Sequence, residues 1–215
     1  MNSQDDEPRD RLIAAVASLC TERGYEEITE KEIAARAGVP RARMAELFPG
    51  GKEDCLVAAE NKILLDVVGA VSQGYSADRS EWDNVIHGVH RVLQVVASIP
   101  DFAYLGYVFS RQMAPGRIRE INETGHHMLE AMLERGWAYS DSTEQPGCTA
   151  LGVLGGAQAL VRRELAAGRA EQLPEILPEC VYIATVPFLG QAEALRLARR
   201  ARELSLPAAP ASRGR

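Results

Sequence analysis

Apolar residues between positions 11 and 56 recur every three to four residues, which is the period of amphipathic helices. We expect the first helix to end at Gly24, because glycine tolerates the left-handed geometry of a helix C-cap. Thr29 is predicted to begin the second, with Glu32 three residues later completing a capping box. The inward residues of these two helices are Leu12, Ile13, Val16, Leu19, Cys20, Ile33, Ala34 and Ala37.

A turn at Gly38-Val39 separates the second helix from a short, basic third helix. Pro40 suits the first turn of that helix, where a missing N–H costs nothing. Two helices joined by a short glycine-containing turn form a helix-turn-helix, whose second helix enters the DNA major groove. The third helix should turn Met44, Leu47 and Phe48 inward and Arg41, Arg43, Ala45 and Glu46 outward.

Helical periodicity continues after Leu56 and predicts six more helices, which makes the fold all-α with about nine helices. Low aromatic content, 6%, also argues against sheets. The expected domains are residues 1–52 (helix-turn-helix) and 53–205 (helical), followed by a disordered tail over 206–215. The polar start of the chain is expected to be a frayed lead-in, and Pro187 is expected to kink the last helix. Ser80 is predicted to cap one of these helices, which contains the apolar repeat from Val85 to Val96. The other predicted later helices cover about 53–73, 100–112, 115–139, 148–167 and 174–203.

The net charge of −6 is unevenly distributed along the chain. Residues 1–34 hold four basic and nine acidic side chains, whereas residues 35–52 hold four basic side chains against Glu46 alone. Positive charge is therefore concentrated in the segment that would meet a phosphate backbone.

Other patterns narrow the class of protein. The four cysteines are scattered without a CxxC pair, as in proteins of a reducing cytoplasm. No uninterrupted apolar run reaches the roughly 18 residues of a membrane helix, and the acidic N-terminus is not a secretory signal. Glu123 and His127 could form a ligand pair, but no third metal ligand is evident. No nucleophile or phosphate-binding motif is present. We predict a cytoplasmic protein that is not an enzyme and needs no metal or cofactor.

The run GYEEITEKEIAARAGVPRARMAELFPGGKEDCL resembles the DNA-binding domain of the TetR family of transcriptional regulators. The resemblance implies a homodimer that binds a palindromic operator in double-stranded DNA. It also implies a C-terminal ligand-binding and dimerisation domain, so that a small apolar effector releases the DNA. The matching elements are Gly24-Tyr25, Thr29, Ile33-Ala34, Ala37-Gly38-Val39, Phe48-Pro49 and Lys52-Glu53.

The third helix departs from the family pattern at two positions. Ala45 stands where a tyrosine commonly contacts a phosphate, and Leu47 replaces a histidine. Phosphate contacts should then fall on Arg36, Arg41, Lys52 and backbone N–H groups. Arg43 sits where a base or phosphate contact is expected. The expected DNA-contacting residues are Thr29, Arg36, Pro40, Arg41, Ala42, Arg43, Ala45, Glu46 and Lys52.

Aromatic residues and methionines are concentrated between residues 82 and 137. Such side chains form adaptable apolar walls, and histidines add polar groups, so the segment predicts an effector pocket. The alternative is that they are ordinary core residues. The expected lining residues are Trp82, His87, His90, Phe102, Phe109, Met113, Met128 and Met132.

The last two helices are rich in glycine and are apolar on more than one side. Glycine inside a helix costs about 0.5–1 kcal/mol relative to alanine, so three of them suggest a close helix contact. Two such helices from each of two subunits would form a four-helix interface, although packing within one subunit is the alternative. The expected interface residues are Gly152, Gly155, Gly156, Leu160, Val186 and Leu189.

Two functions remain open from the sequence. The first is a ligand-responsive DNA-binding transcriptional regulator, acting as a repressor. The second is a TetR-like dimeric module that binds a small molecule or a protein and has degenerate or absent DNA binding. The basic residues between positions 36 and 52 favour the first, whereas the missing tyrosine favours the second.

Overall fold

The computed structural model describes residues 3–109, 116–140 and 146–205, and it confirms an all-α fold with nine α-helices and no strand in these ranges. A π-helical turn, Leu105–Phe109, extends α6, and 3-10 segments Arg135–Tyr139 and Ala170–Ile176 follow α7 and precede α9. The expected tail, 206–215, lies outside the described residues. The helices are α1 (Ser3–Arg23), α2 (Glu30–Ala37), α3 (Arg41–Leu47), α4 (Lys52–Gly74), α5 (Glu81–Ser98), α6 (Pro100–Tyr104), α7 (Arg117–Glu134), α8 (Thr149–Ala166) and α9 (Leu177–Ser205).

The predicted ends of α1 and α2 are confirmed. Gly24 has a φ of 83° directly after α1, and Gly38 has a φ of 62° directly after α2. The capping box is complete, because the Glu32 amide donates to Thr29 Oγ1 (3.3 Å) and the Thr29 amide donates to Glu32 Oε2 (2.9 Å). Local sequence therefore determines how α2 is oriented between its two turns.

The expectation of a frayed N-terminal lead-in is wrong, since α1 begins at Ser3 and includes Pro8. Acidic residues dominate the sequence of its first turns, where negative charge interacts favourably with the positive end of the helix dipole. The Arg9 guanidinium also lies 5.2 Å from the centroid of the Phe48 ring. This cation–π contact links the start of α1 to the residue that ends α3.

One continuous core joins α1–α3 to the helices that follow. Leu12, Ile33 and Leu56 are fully buried in the same cluster as Leu93 and Leu197. The helix α4 passes through this cluster, where it packs against α1 and, with its last turns, on α5. At that second contact a Cβ on Gly74 would lie 2.5 Å from the Cα of Gly88, which places the two backbones in close contact.

The predicted kink in α9 is present, and Gly190 carries the break. Its φ of 73° and ψ of 172° interrupt the helix three residues after Pro187. Proline removes one helical hydrogen bond, and the glycine adopts the backbone angles that the turn then requires. By length and composition alone, the stretch Ala170–Ser205 could cross a membrane, and 44% of its most apolar window is buried inside the protein.

Candidate nucleic-acid interface and internal cavity

The third helix presents a short outer face held by two buried side chains. Met44 and Phe48 retain only 2% and 3% of their exposed surface, and Leu47 packs against the same core. Because these residues anchor one side of α3, the opposite side is turned to solvent. The exposed residues there are Pro40, Arg41, Ala42, Ala45 and Glu46, and Arg43 beside them is partly exposed.

Three of the four cations expected to contact DNA form ion pairs with carboxylates. Arg36 donates two hydrogen bonds to Glu22, at 2.7 and 2.8 Å, which lower the pKa of that carboxyl to about 2. Arg43 donates to Glu46 at 2.7 Å within α3. The guanidinium of Arg41, whose side chain is 73% exposed, lies 3.8 Å from Glu30. Two of the three carboxylates come from α1 and α2, so the positive charge of residues 35–52 is locally balanced.

The fourth cation, Lys52, is used inside the subunit. Its ammonium group donates hydrogen bonds to the carbonyl oxygens of Tyr25 (3.0 Å) and Ile28 (3.1 Å). It also lies 4.3 Å from the centroid of the Tyr25 ring. Lys52 therefore fastens the loop between α1 and α2 to the start of α4. Thr29 is similarly occupied, because its hydroxyl hydrogen-bonds to Glu32 in the capping box.

A cavity of about 600 Å³ lies among α4, α5, α7, α8 and α9, and Tyr107 of the π-helical turn also lines it. Of the expected pocket residues, Trp82 and Met132 line this cavity. His87, His90, Phe102, Phe109 and Met128 are outside its lining, and Met113 lies outside the described residues. The structure therefore brings together only part of the predicted set.

Helical periodicity explains why the two histidines face away from the cavity. Val85, Val89 and Val92 line it at spacings of three and four residues, whereas His87 is two residues, about 200°, from Val85. His90 packs beside Gln94, with 3.2 Å between the His90 Nε2 and Gln94 Nε2 atoms. Burial lowers the pKa of both histidines, and neighbouring positive charges lower it further.

Two predicted pocket aromatics lie instead next to the helix-turn-helix. Phe109 Cε2 would be 4.0 Å from a Cβ on Gly24, at the end of α1. The Phe102 ring lies 5.9 Å from the ammonium of Lys62 on α4. The backbone of the same region contacts α1, since the Thr21 hydroxyl donates to the Asp101 carbonyl at 3.3 Å. These residues join α6 and the π-helical turn to α1 and α4.

Sequence reasoning missed the cavity residues of α8 and α9, because both helices were assigned to a dimer interface. Their apolar character on more than one side was the available signal. Phe188 of α9 lines the cavity. Its ring centroid lies 6.1 Å from that of Trp82 and 4.7 Å from that of Trp137. The other lining residues not expected from the sequence include Tyr75, Tyr139, Val153, Gln158 and Cys180.

The glycines of α8 divide into two groups. Gly152 and Gly155 are exposed, and a Cβ on either would meet nothing within 4 Å. A Cβ on Gly156 would lie 3.2 Å from Ile183 Cγ2, so Gly156 lets α8 and α9 pack closely within one subunit. Among the other residues expected at the dimer interface, Leu160, Val186 and Leu189 are partly buried, and Leu160 and Leu189 pack against the main core.

Three of the four cysteines are buried, and Cys148 is exposed. Burial raises the pKa of Cys20, Cys55 and Cys180 to about 12, so these thiols are poor nucleophiles. His126 Nε2 lies 3.1 Å from the side-chain oxygen of Gln158. Within ranges 3–109, 116–140 and 146–205, no three His, Cys, Asp or Glu side chains form a group that could hold a metal ion.

Neither models of known protein families nor curated protein sequences match this chain. Solved structures match over most of its length. The fatty acid degradation regulator FadR from Bacillus halodurans is 18% identical, has a TM-score of 0.65, and aligns over 94% of this chain and 99% of its own. A TetR-like transcriptional regulator from Rhodococcus sp. RHA1 is 17% identical, with a TM-score of 0.65 and coverage of 84% and 94%. A gamma-butyrolactone receptor, an ArpA-like protein, is 18% identical, with a TM-score of 0.63 and coverage of 94% and 99%.

The chain has the fold of the TetR-family regulators. The similarity extends through the helix-turn-helix and the cavity-bearing helices, since the alignments span almost the whole length of these structures. At 17–18% identity it concerns the arrangement of helices and not the side chains on α3 or in the cavity. The chemistry of those two sites has to be argued from the residues present here.

Proposed function

We propose that this protein is a homodimeric, DNA-binding transcriptional regulator of the TetR family, acting in the cytoplasm as a repressor. A small, mainly apolar effector releases it from its operator. The observation that carries this proposal is the combination of an exposed α3 in a helix-turn-helix with a 600 Å³ cavity, joined by one core. It is a binding protein with no proposed catalytic role.

The ion pairs on the helix-turn-helix are compatible with DNA binding. Exposed pairs of this kind contribute only about 0–1 kcal/mol, so a phosphate can replace a carboxylate as the partner at little cost. Arg41 is the most accessible of these cations, with 73% of its side chain exposed. Each cation that contacts a phosphate releases a counterion from the DNA, so affinity should fall as the salt concentration rises.

The homodimer is proposed to form through the outer face of α8 together with α9. Leu151 is 57% exposed on this face, next to the open positions of Gly152 and Gly155. A second copy would cover this apolar surface and relate two α3 helices by a two-fold axis. Two recognition helices about 34–36 Å apart then match successive major grooves of a palindromic site.

Effector control would act through helices that contact both sites. Val67 and Val71, near the end of α4, line the cavity, and the first turn of α4 follows Phe48. Tyr107 also lines the cavity, two residues before Phe109, which packs next to Gly24. An effector shifts the equilibrium only by its different affinity for the two conformations, typically about 1–3 kcal/mol of coupling.

The deciding experiment is a binding assay on DNA that flanks the protein's own coding region, at low salt. We expect specific binding that an effector weakens. Because coupling is reciprocal, operator DNA must weaken effector binding by the same factor, which calorimetry with and without operator measures. A dimer that binds no genomic fragment would overturn the DNA-binding proposal. Equal effector affinities in the two titrations would overturn the switch.

The second candidate function is a dimeric small-molecule or protein-binding module with degenerate or absent DNA binding. The observation that favours it is the pairing of Arg36 and Arg43 with carboxylates, together with Ala45 in place of a phosphate-contacting tyrosine. The same assay separates the two candidates. Ligand binding by a protein that fails to bind DNA would support this second function.

A further inference from the structure

Tyr107 contributes a phenol side chain to the lining of a mainly apolar cavity. Burial raises the pKa of its hydroxyl to about 12, so the group remains a neutral phenol at physiological pH. No described residue forms a hydrogen bond with this hydroxyl. In the described residues, every fully buried side-chain oxygen or nitrogen has a hydrogen-bond partner, so the unpaired Tyr107 oxygen must border accessible space. The cavity is the space that Tyr107 lines.

Charged groups are confined to the opening of the cavity. Glu81 and Arg135 are the only charged residues among the described residues that line it. Both lie near Tyr139, which is 48% exposed: the Glu81 carboxylate raises the pKa of its hydroxyl, and Arg135 opposes that shift. The inner end is formed by buried apolar side chains such as Leu93 and Val161.

Two polar side chains of the lining, Asn84 and Gln158, are already occupied in part or in full. The side-chain amide of Asn84 exchanges two hydrogen bonds with the backbone of Ser76, at 2.9 and 3.0 Å. The side-chain oxygen of Gln158 is 3.1 Å from His126. Tyr75 and Tyr139 are 58% and 48% exposed, so the more enclosed Tyr107 hydroxyl is the phenol best placed to donate to and accept from a buried ligand.

We infer that the cavity takes an uncharged ligand with a mainly apolar body and a single hydroxyl or carbonyl group that hydrogen-bonds to Tyr107. An ion carried to the inner end would lose its hydration without gaining a partner of opposite charge, whereas a neutral hydroxyl or carbonyl would satisfy the phenol. The inference rests on the proposed function only in taking the cavity as the effector site. It specifies the charge of the ligand and its orientation, with the polar group inward.

Three probes with one chain length test the charge of the ligand: 1-octanol, octanoate and octylammonium at neutral pH. Binding can be followed by tryptophan fluorescence, because Trp82 lines the cavity and Trp137 packs on Phe188 at its wall. We expect 1-octanol to bind at least about tenfold more tightly than either ion, given the cost of burying an unpaired charge. Equal or tighter binding of octanoate that is lost in Arg135→Gln would place the polar group at the opening and overturn the inference.

The orientation is tested by Tyr107→Phe, with Tyr139→Phe as the matched control at the opening. Removing the Tyr107 hydroxyl should weaken 1-octanol about fivefold, the effect of one ordinary hydrogen bond, and should leave the two ions unchanged. The control should alter 1-octanol affinity by less than about twofold, because Tyr139 is 48% exposed and its hydroxyl remains hydrated at the opening. Weakening by the control alone would overturn the inference. If no probe binds to the folded wild-type dimer, the proposed effector role of the cavity fails together with this inference. If the probes bind as expected but the protein does not bind DNA, the inference about the ligand stands and only the proposed DNA binding fails.

Discussion

Arg117, the first residue of α7, donates a 2.5 Å hydrogen bond to Asp54 in the first turn of α4. The other carboxylate oxygen of Asp54 accepts the amide of Gly50 at 2.7 Å, in the turn after α3. At the opposite end of α7, Leu129 and Leu133 line the cavity. One carboxylate thus connects the end of the helix-turn-helix to a helix that would contact an effector.

Arg117→Gln should loosen the turn between α3 and α4. With its partner removed, Asp54 holds the Gly50 amide less firmly, so hydrogen exchange there should become several-fold faster. The control is Lys62→Gln, which removes an ion pair with Asp66 that stays within α4. Exchange rates measured by NMR should change in the first variant only. Unchanged exchange at Gly50 would mean that the ion pair does not restrain this turn.

The same site predicts a pH dependence. Arg117, and then the Gly50 amide, hold the pKa of Asp54 below its ordinary value. A lowered folded-state pKa contributes stability that is fully present above the unfolded value, about 3.9, and is lost as pH falls through the lower folded value. Protection of Gly50 should therefore disappear in acid in the wild type. In Arg117→Gln, the protection of Gly50 should be lost at a higher pH than in the wild type. Wild-type protection that does not change in acid would contradict this prediction.

Arg43→Ala should relax base preference at one position of the operator. A guanidinium that contacts guanine contributes about 1–3 kcal/mol of discrimination. Arg36→Ala is the comparison, because that side chain is held by Glu22 on the side of α2 and should affect all sequences alike. Binding isotherms on a set of single-base operator variants distinguish the two effects. A uniform loss in Arg43→Ala would assign this residue to the phosphate backbone.

Lys52→Met should reduce stability and leave the salt dependence of DNA binding nearly unchanged. The sequence predicts a phosphate contact for Lys52, whereas the structure commits its ammonium to the carbonyls of Tyr25 and Ile28. Losing these charge-assisted bonds should lower the free energy of unfolding by about 1–3 kcal/mol. Urea denaturation measures this, with the exposed Lys31→Met as control. A stable variant with a flatter salt slope would instead support the phosphate contact.

Gly155→Leu should produce a folded monomer. A Cβ added at Gly155 meets nothing within 4 Å in the subunit, whereas a leucine side chain would collide with a partner copy at the proposed seam. The control is Gly69→Leu, an equally open helical position on α4. Sedimentation should report twice the 23.4 kDa subunit mass for wild type and control, and the subunit mass for Gly155→Leu. A monomeric wild type at micromolar concentration would contradict the dimer, as would a dimeric Gly155→Leu.

Local features were predictable because their determinants are close in sequence. The Thr29–Glu32 capping box and the left-handed Gly38 involve contacts within a few residues, so the sequence determined α2 and the turn to α3. The hydrophobic period likewise determined which side of α3 is buried. The start of α1 was misjudged because its order includes a contact with Phe48, distant in sequence.

The charge balance around α3 and the lining of the cavity depend on residues that are distant from each other in the chain. The sequence placed four basic residues in 35–52, but only the tertiary structure set Glu22 against Arg36 and Glu30 near Arg41. Aromatic density between residues 82 and 137 indicated a pocket, and the packing of α4, α5, α7, α8 and α9 decided its lining, with Tyr107 inside and both histidines of α5 outside. Helical period and caps are local properties of the backbone. The electrostatic potential at a surface and the shape of a cavity instead depend on which helices pack against each other. The packing of their apolar faces decides this.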